Sequence, residues 1–501
     1  MLLRPDRQDL SLVARFSGRV LLGLGGVMFV PAILAVAWNE TNEAAGFVIG
    51  ACLCLLAGMA TQLPPRPRRA PDWQHGMVVS ATSWLVGPFF AAVPLYLSGH
   101  YSRYLDAYFD AMSGLATAGL AVINDLDHLA LSVNLWRHVL QFLGGQGLVV
   151  MMLSFFAVGG GAVGMYAGEA REDKILPNVA RTARFIWRVA LTWFVVGVLA
   201  LWAALAIAGM PVWQGLFHAI TLFMAAFDTG GFAPTSASVA LYHSWLVELV
   251  IGVLMVAGAL SFALHFHLWR RRTGELVRNI EIRFLAASLF ALFAVAVAGL
   301  ASTGAYTSTE ALFRRGLFQI VSAHTGTGFN TVPGRMFVTD WGELAPAAIV
   351  MAMGLGAMAG STAGGIKAIR VALTARSVMR QLRHLVLPED AVTVATFHSG
   401  GSRQVLRPEV ARSALMILLL YLLLYLVGAL TAMFYGYPFD QAMFESTSAA
   451  AAVGLSVGIT GPNLETGIKI VYILQMWIGR LEFIAVLVFM GFLWSAVRGR
   501  T

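Results

Sequence analysis

One pattern limits what this chain can become. It repeats four times: a long apolar run, a short amphipathic run, a small-residue turn around a glycine, and a second long apolar run. The turns read Thr117-Ala118-Gly119-Leu120, Thr229-Gly230-Gly231-Phe232, Gly326-Thr327-Gly328-Phe329 and Ala452-Val453-Gly454-Leu455. The short runs before them, such as Ala311 to Ala323, fall below the roughly 20 residues a helix needs to cross a bilayer. A short helix that ends in a non-helical turn at membrane depth is tolerated only where the turn lines a watery cavity. One glycine loop alone is more simply a packing or helix-breaking site. Four in register predict the walls of one ion filter.

The predicted fold is an all-α polytopic membrane protein. Four pseudo-symmetric units of span, pore helix, filter turn and return span surround one pore, and an N-terminal two-helix hairpin is added. The hairpin takes residues 1–63, with spans Val20 to Ala37 and Ala44 to Ala60; the repeats take 76–160, 185–270, 282–385 and 410–498. The predicted pore helices are Tyr104 to Ala116, Val212 to Phe227, Thr309 to Ala323 and Phe439 to Ala451. The return spans run Leu135 to Val158, Ser244 to Leu268, onward from Leu344, and Ile468 to Val497. Uneven linkers make the repetition structural rather than a tandem copy. Of the 501 residues only 12% are charged and 58% are hydrophobic, whereas a soluble domain carries about 25% charged residues. A large soluble core is the poor alternative.

The net charge of +8 falls in the linkers, which points to membrane orientation rather than nucleic acid. Arg171, Lys174, Arg181 and Arg184 separate repeats one and two; Arg270, Arg271, Arg272, Arg278 and Arg283 separate two and three. Arg370, Arg376, Arg380, Arg383, Arg403 and Arg407 separate three and four. The turn side carries Asp106, Asp110, Asp125, Asp127, Asp340, Glu343, Asp440, Glu445 and Glu465. Basic linkers and both termini are therefore expected in the cytoplasm, with the turns opening outward. Arg66 to Arg69, in a Pro/Arg segment that cannot be helix, belong to the same surface. Ala35-Val36-Ala37 mimics a signal-peptidase site, but its apolar stretch is too long for one. Cys52 and Cys54 point to different helix faces and imply neither a disulfide nor a metal site.

A potassium ion crosses when backbone carbonyls replace its hydration shell. Aiming consecutive carbonyls at one axis needs angles that glycine adopts freely, and half-helix C-termini add a negative dipole end. Below the filter, Gly354-Leu355-Gly356-Ala357-Met358-Ala359-Gly360-Ser361-Thr362-Ala363-Gly364-Gly365-Ile366-Lys367 makes a weak helix, because each glycine costs about 1 kcal/mol relative to alanine. It reads as a broken helix whose loop crosses the pore as a gate, anchored by Lys367; a small-residue packing seam is the alternative. It lacks the Gly-Lys-Ser/Thr ending of a phosphate loop. Arg480 within an apolar span is costly unless it faces a cavity or partner. It reads either as an electrostatic barrier in the pore or as a structural ion pair, and Glu482 two residues on is a poor helical partner. Asp228 either bonds backbone behind the second turn or adds to the cation field. His265 and His267 read as interfacial rather than metal-binding, and His324 as a hydrogen-bonding support of the third turn.

Together these residues resemble the Trk/Ktr/HKT superfamily of cation transporters. The resemblance rests on Gly360 to Lys367, Ile478-Gly479-Arg480-Leu481-Glu482, Gly144-Gly145-Gln146-Gly147 and Val453-Gly454-Leu455-Ser456, and spans Met77 to the C-terminus. The N-terminal hairpin is similar to the TrkH branch, and the fourth filter to the KtrB branch. The resemblance implies potassium uptake through a four-fold pseudosymmetric pore in a bacterial-type cytoplasmic membrane. K⁺ would be the transported ion at the filter residues, without an organic cofactor and without catalysis. It also implies a homodimer in membrane lipid and a cytosolic nucleotide-binding ring of the TrkA or KtrA kind. Carried over by position, Gly119, Gly231, Gly328 and Gly454 take the filter glycines, Gly354 to Lys367 the gating loop, and Arg480 the pore arginine. Glycine rather than serine at 119 resembles the potassium-preferring members. The third turn departs, reading His-Thr-Gly-Thr-Gly-Phe where the Ktr form has Arg-Thr-Ala-Gly-Phe.

Two other classes compete. A secondary transporter with inverted repeats would use broken helices as its substrate site, and here a single broken long span is expected. A membrane-embedded enzyme would need a metal-spaced or nucleophilic set, which the sequence does not supply.

Overall fold

The computed structural model describes residues 5–65, 69–148, 150, 153, 162–169, 179–388 and 394–498. The second half of the first return span, the linker residues Arg171 and Lys174, and Arg66 to Arg68 lie outside them. Six described helices are long and apolar enough to cross a membrane. The hairpin is α1 (Arg7–Ala37) and α2 (Thr41–Ala60); repeat one is α3 (Trp73–Leu97), α4 (Tyr104–Leu115), α5 (Leu131–Gln146) and α6 (Ala162–Gly168). Repeat two is α7 (Val179–Ile207), α8 (Val212–Phe227), α9 (Trp245–Ala259) and α10 (Phe262–Trp269). Repeat three is α11 (Ile280–Thr303), α12 (Thr309–His324), α13 (Leu344–Gly354) and α14 (Ala368–Val386). Repeat four is α15 (Pro408–Phe434), α16 (Phe439–Ala451), α17 (Thr466–Arg480) and α18 (Ile484–Arg498).

The helices start where the sequence offers caps. Asp72 accepts from the backbone of His75 to open α3, Asn279 from Glu281 to open α11, and Ser308 from Ala311 to open α12. Each cap satisfies an amide that the helix itself leaves orphaned. α1 begins at Arg7, well before the expected Val20, because Asp6 and Asp9 form a capping box ahead of the polar first turns. The outer faces are apolar: on α15, Leu415, Leu419, Leu422 and Leu426 are exposed while Tyr421, Tyr425 and Ala429 are buried. Such a helix, greasy on both sides, suits hydrocarbon as its solvent. The hairpin joins the same body, since Phe47 of α2 is fully buried with its ring edge against Trp136 of α5.

The repeats close on one another in a cycle. Every pore helix packs on the span of its own repeat, α4 on α3, α8 on α7, α12 on α11 and α16 on α15. Each also packs on the return helix of the preceding repeat, α8 on α5, α12 on α9, α16 on α13, and α4 on α17. The last contact joins repeat four to repeat one.

One expectation needs correction. The broken span of repeat three is not alone: α9 and α10 meet at 101°, and α17 and α18 at 112°. α5 also stops, at Gln146, where Gly147 takes φ +99°. The linker between repeats three and four carries a short hairpin. Thr396–Ser399 (β1) and Ser402–Val405 (β2) pair antiparallel across Gly400-Gly401, both at positive φ, the geometry that a two-residue hairpin favours.

Candidate ion pathway

All four turns have one backbone geometry. The residue two before the turn glycine is left-handed: Thr117 at φ +55°, Thr229 at +50°, Gly326 at +75° and Ala452 at +55°. Its amide bonds the carbonyl three residues back, at Gly114, Ala226, Ala323 and Ala449. The next amide reaches five back, Ala118 to Ser113, Gly230 to Ala225, Thr327 to Ser322 and Val453 to Ser448, at 2.8–2.9 Å. This pair of bonds is the Schellman ending of a helix. A β-branched threonine in that region is strained, yet two turns carry one. The third turn therefore aligns as Gly326-Thr327-Gly328-Phe329, and Thr325 belongs to the end of its pore helix.

The turns also touch in a closed ring. A β-carbon on Gly119 would lie 2.5 Å from the Gly230 oxygen, and one on Gly454 would lie 2.6 Å from the Ala118 oxygen. On Gly231 it would strike the Thr327 oxygen, and on Gly328 the Val453 oxygen. In every repeat the carbonyl just before the turn glycine rests on the neighbouring turn's glycine. Each glycine is thus required twice, by its positive φ (+73°, +70°, +84° and +98° in chain order) and by the backbone packed where a side chain would be. Ala118, Leu120, Phe232, Phe329, Val453 and Leu455 are buried behind or beside the ring.

Buried polar groups brace the ring from behind. Asp110 accepts from Arg137 (3.1 Å), Tyr101 (2.9 Å) and the Val122 amide (2.9 Å), while Arg137 stacks on Phe232 of the second turn. Glu445 accepts from Ser456 (2.5 Å), Thr460 (2.7 Å) and the Val457 amide (2.9 Å). Both carboxylates hold the strand that descends from their own turn. Both stand nine residues before the turn glycine, a position that Gln319 fills in repeat three. Aligning the repeats exposes that signal; reading these acids as outward-facing charge hid it. Asp106 likewise is buried, 2.6 Å from Lys469, so Asp125, Asp127, Asp340, Glu343 and Asp440 are the exposed ones among the acids on the turn side.

Other expected supports lie close by. Asp228 accepts from the side-chain amide of Gln146 at 2.6 Å. Gln141 donates to the Gly230 carbonyl. His324 meets Ser288 at 2.7 Å. His265 is buried and bonds the Ala257 carbonyl at the break of repeat two.

The loop between Gly354 and Ala368 lies against the ends of the second and fourth pore helices. Gly356 and the Leu355–Ile366 bridge close its base, and Gly360 and Gly365 turn it at φ +71° and +73°. Its backbone is stitched into the break of repeat two: Met358 donates to Ala259, Thr362 to Gly258, and Gly360 accepts from Phe262. Ser361 is buried in that turn. The Thr362 hydroxyl lies 3.1 Å from the Phe227 carbonyl and 3.2 Å from the Thr229 hydroxyl. Gly364 packs against Ala451 and Ala452 of the fourth turn. Arg480 binds the Thr362 carbonyl at 2.5 Å, the Gly144 carbonyl, and Thr117 at 3.3 Å, linking loop, first repeat and fourth. Lys367 bonds the Ala363 carbonyl and lies 3.8 Å from Glu482, which also pairs with Arg370. The helix is broken between Gly354 and Ala368, and Gly356 and Gly364 of the loop pack closely against backbone.

Among the described residues no group of three or more His, Cys, Asp or Glu side chains could hold a metal ion. What the ring offers is peptide oxygen. Residues 43–495 match the family model for TrkH, the cation transport proteins. An uncharacterised cation transporter of Methanocaldococcus jannaschii is 30% identical, over 97% of this chain and 96% of its own. The Trk system potassium uptake protein TrkH of Halomonas elongata is 28% identical over 96% and 98%. The crystal structure of the potassium transporter TrkH from Vibrio parahaemolyticus superposes with a TM-score of 0.82 at 26% identity, covering 96% of this chain and 98% of that one. Its matching family model, its length-wide relatives and its shared fold make this chain a member of the TrkH family of cation transport proteins.

Proposed function

We propose that this chain carries potassium inward across a bacterial-type cytoplasmic membrane. The ion passes the ring formed by residues 117–120, 229–232, 326–329 and 452–455. The supporting observation is the cyclic contact of carbonyl on glycine from turn to turn, which gathers four peptide oxygens into one closed ring. Oxygens of moderate field in a ring exchange with water without trapping the ion. The relatives named for potassium uptake agree with that cargo.

The loop from Gly354 to Lys367 acts as the gate. It fills the space under the ring and is held by hydrogen bonds rather than by a packed helix, so it can move without unfolding a span. Arg480 sets an electrostatic barrier there and ties the loop shut through Thr362. The basic linkers lie in the cytoplasm. α14 follows the gate directly and exposes Val378, Met379, Leu382, Leu385 and Val386 beside Arg376, Arg380 and Arg383. An apolar stripe of that size on a cytosolic helix suits a partner, here a regulatory ring that binds nucleotide, acting on a dimer of this chain.

Rubidium uptake into vesicles holding the purified protein tests the reading. Saturable uptake that potassium competes away, and sodium does so only weakly, is expected. Absence of cation flux with and without a cytosolic ring protein would overturn it.

A further inference from the structure

A second site lies away from the axis. A cleft of about 720 Å³ opens between the start of α11, the side of α14 and the β1–β2 hairpin. Four arginines line it, Arg278, Arg283, Arg376 and Arg403, together with the apolar Leu276, Val277, Ile282 and Ala286. Arg376 and Arg403 are held in place by Thr396, through its carbonyl and its hydroxyl. None of the four forms an ion pair among the described residues, and the nearby Glu275 is engaged by His398 at 3.0 Å. Val277 is 75% exposed, on the turn that leads into a membrane span.

Four guanidinium groups around one cleft repel each other unless an anion joins them. Guanidinium forks bind phosphate oxygens bidentately. Apolar side chains on the same wall, at the mouth of a spanning helix, suit acyl chains rather than water. We propose that this cleft binds the phosphate headgroup of an anionic phospholipid, with its acyl chains lying along Val277, Ile282 and Ala286. The same phosphate chemistry occurs in free inorganic phosphate, but a soluble ion leaves the apolar wall uncovered. The site has a mechanical consequence. Its arginines come from the helix that continues the gating loop (Arg376), from the hairpin (Arg403), from the approach to α11 (Arg278) and from the first turn of α11 itself (Arg283). Glu281 of α11 already holds the loop by the Ala359 amide at 2.8 Å. A bound headgroup joins these pieces and keeps the loop seated. This consequence rests on the gate reading above; binding itself does not.

Native mass spectrometry of the detergent-purified protein tests binding, titrating phosphatidylglycerol against phosphatidylcholine. The expected result is a retained phosphatidylglycerol adduct, weakened by roughly tenfold or more in the Arg283→Gln/Arg403→Gln double variant. Arg412→Gln, on a neighbouring helix outside the cleft, should leave it unchanged. Equal retention of the two lipids, an adduct that the double variant keeps, or displacement by millimolar inorganic phosphate would each overturn the proposal. An elution profile of the double variant matching the parent shows that loss of lipid is not loss of fold. In vesicles, rubidium uptake by the parent should fall severalfold when phosphatidylglycerol is added, while the double variant's should not; equal responses refute the mechanical link and leave binding standing.

Discussion

The ring and the floor beneath it are built from the same repeated unit and could hardly differ more. In the ring, four different quartets of residues adopt one geometry, with the same bonds and the same positive φ at the same positions. In the floor, the four return spans break in four ways. α5 ends at Gly147, α9 turns sharply at Leu260, α13 gives way to a loop reaching Lys367, and α17 breaks at Leu481 to Phe483. An ion that must be coordinated from all sides needs equivalent walls, and on the proposed reading symmetry is kept where coordination would occur. A barrier that must open needs one mobile wall and three fixed ones, and on the same reading symmetry is lost where movement would occur. In the proposed gate repeat three would supply the mobile wall, held by Gly258 of repeat two and by Arg480 of repeat four, which also binds Gly144 of repeat one.

The sharpest way to break this contrast is to spoil one wall of the ring. Gly328→Ala puts a β-carbon into the Val453 carbonyl at a positive φ. Strain of ~3 kcal/mol passed to the ring should lower rubidium uptake about a hundredfold. Uptake near the parent level at equal expression would mean that the ring does not coordinate the ion. Next in size, Asp110→Ala leaves Arg137 buried without its carboxylate, which should destabilise the protein by about 3–5 kcal/mol, read as a lowered midpoint of thermal aggregation in detergent. On the floor the sign reverses. Arg480→Ala removes a cation from the pathway and frees Thr362, and uptake should rise about tenfold for a barrier lowered by ~1.4 kcal/mol. Glu482→Gln should give a smaller rise, since Lys367 and Arg370 lose the charge that holds them while Arg480 stays. If either floor variant lowers uptake, the floor is a support and not a barrier.

The same division decided what could be read in advance. Periodic apolar runs and the Gly119, Gly231, Gly328 and Gly454 turns announce themselves locally, because hydrocarbon thickness and backbone sterics act on short stretches. The pore helices α8 and α16 were legible to the residue for this reason. The breaks were not, except where glycines crowd together between Gly354 and Gly365. At Ala259 to Phe262 and at Arg480 to Ile484 the helix is ended by partners far away in sequence, Gly360 and Met358 bonding one and Lys367 and Arg370 drawing Glu482 aside at the other. Composition within the span carries no trace of them. Asp110 and Glu445 were visible as residues but read as surface charge. Their burial follows only once four pore helices stand side by side.

Asp228 sits on the boundary between the two regions and offers the finest test of where coordination ends. Its carboxylate is buried beside the second turn, and Gln146, the last helical residue before the break of repeat one, donates to it at 2.6 Å. It therefore touches a wall of the ring and an anchor of the floor at once. Asparagine is nearly isosteric and keeps an oxygen for Gln146, so Asp228→Asn removes charge while leaving the joint in place. If the carboxylate contributes to the field at the ring, the rubidium concentration for half-maximal uptake should rise about threefold, or ~0.6 kcal/mol, with maximal uptake unchanged. If it is only part of the joint, half-saturation stays put and any change appears in the maximal rate. The first outcome extends the coordinating region down to the end of the pore helix. The second confines it to the peptide oxygens of the turns, and the contrast between a symmetric ring and an asymmetric floor then has its border at Thr229.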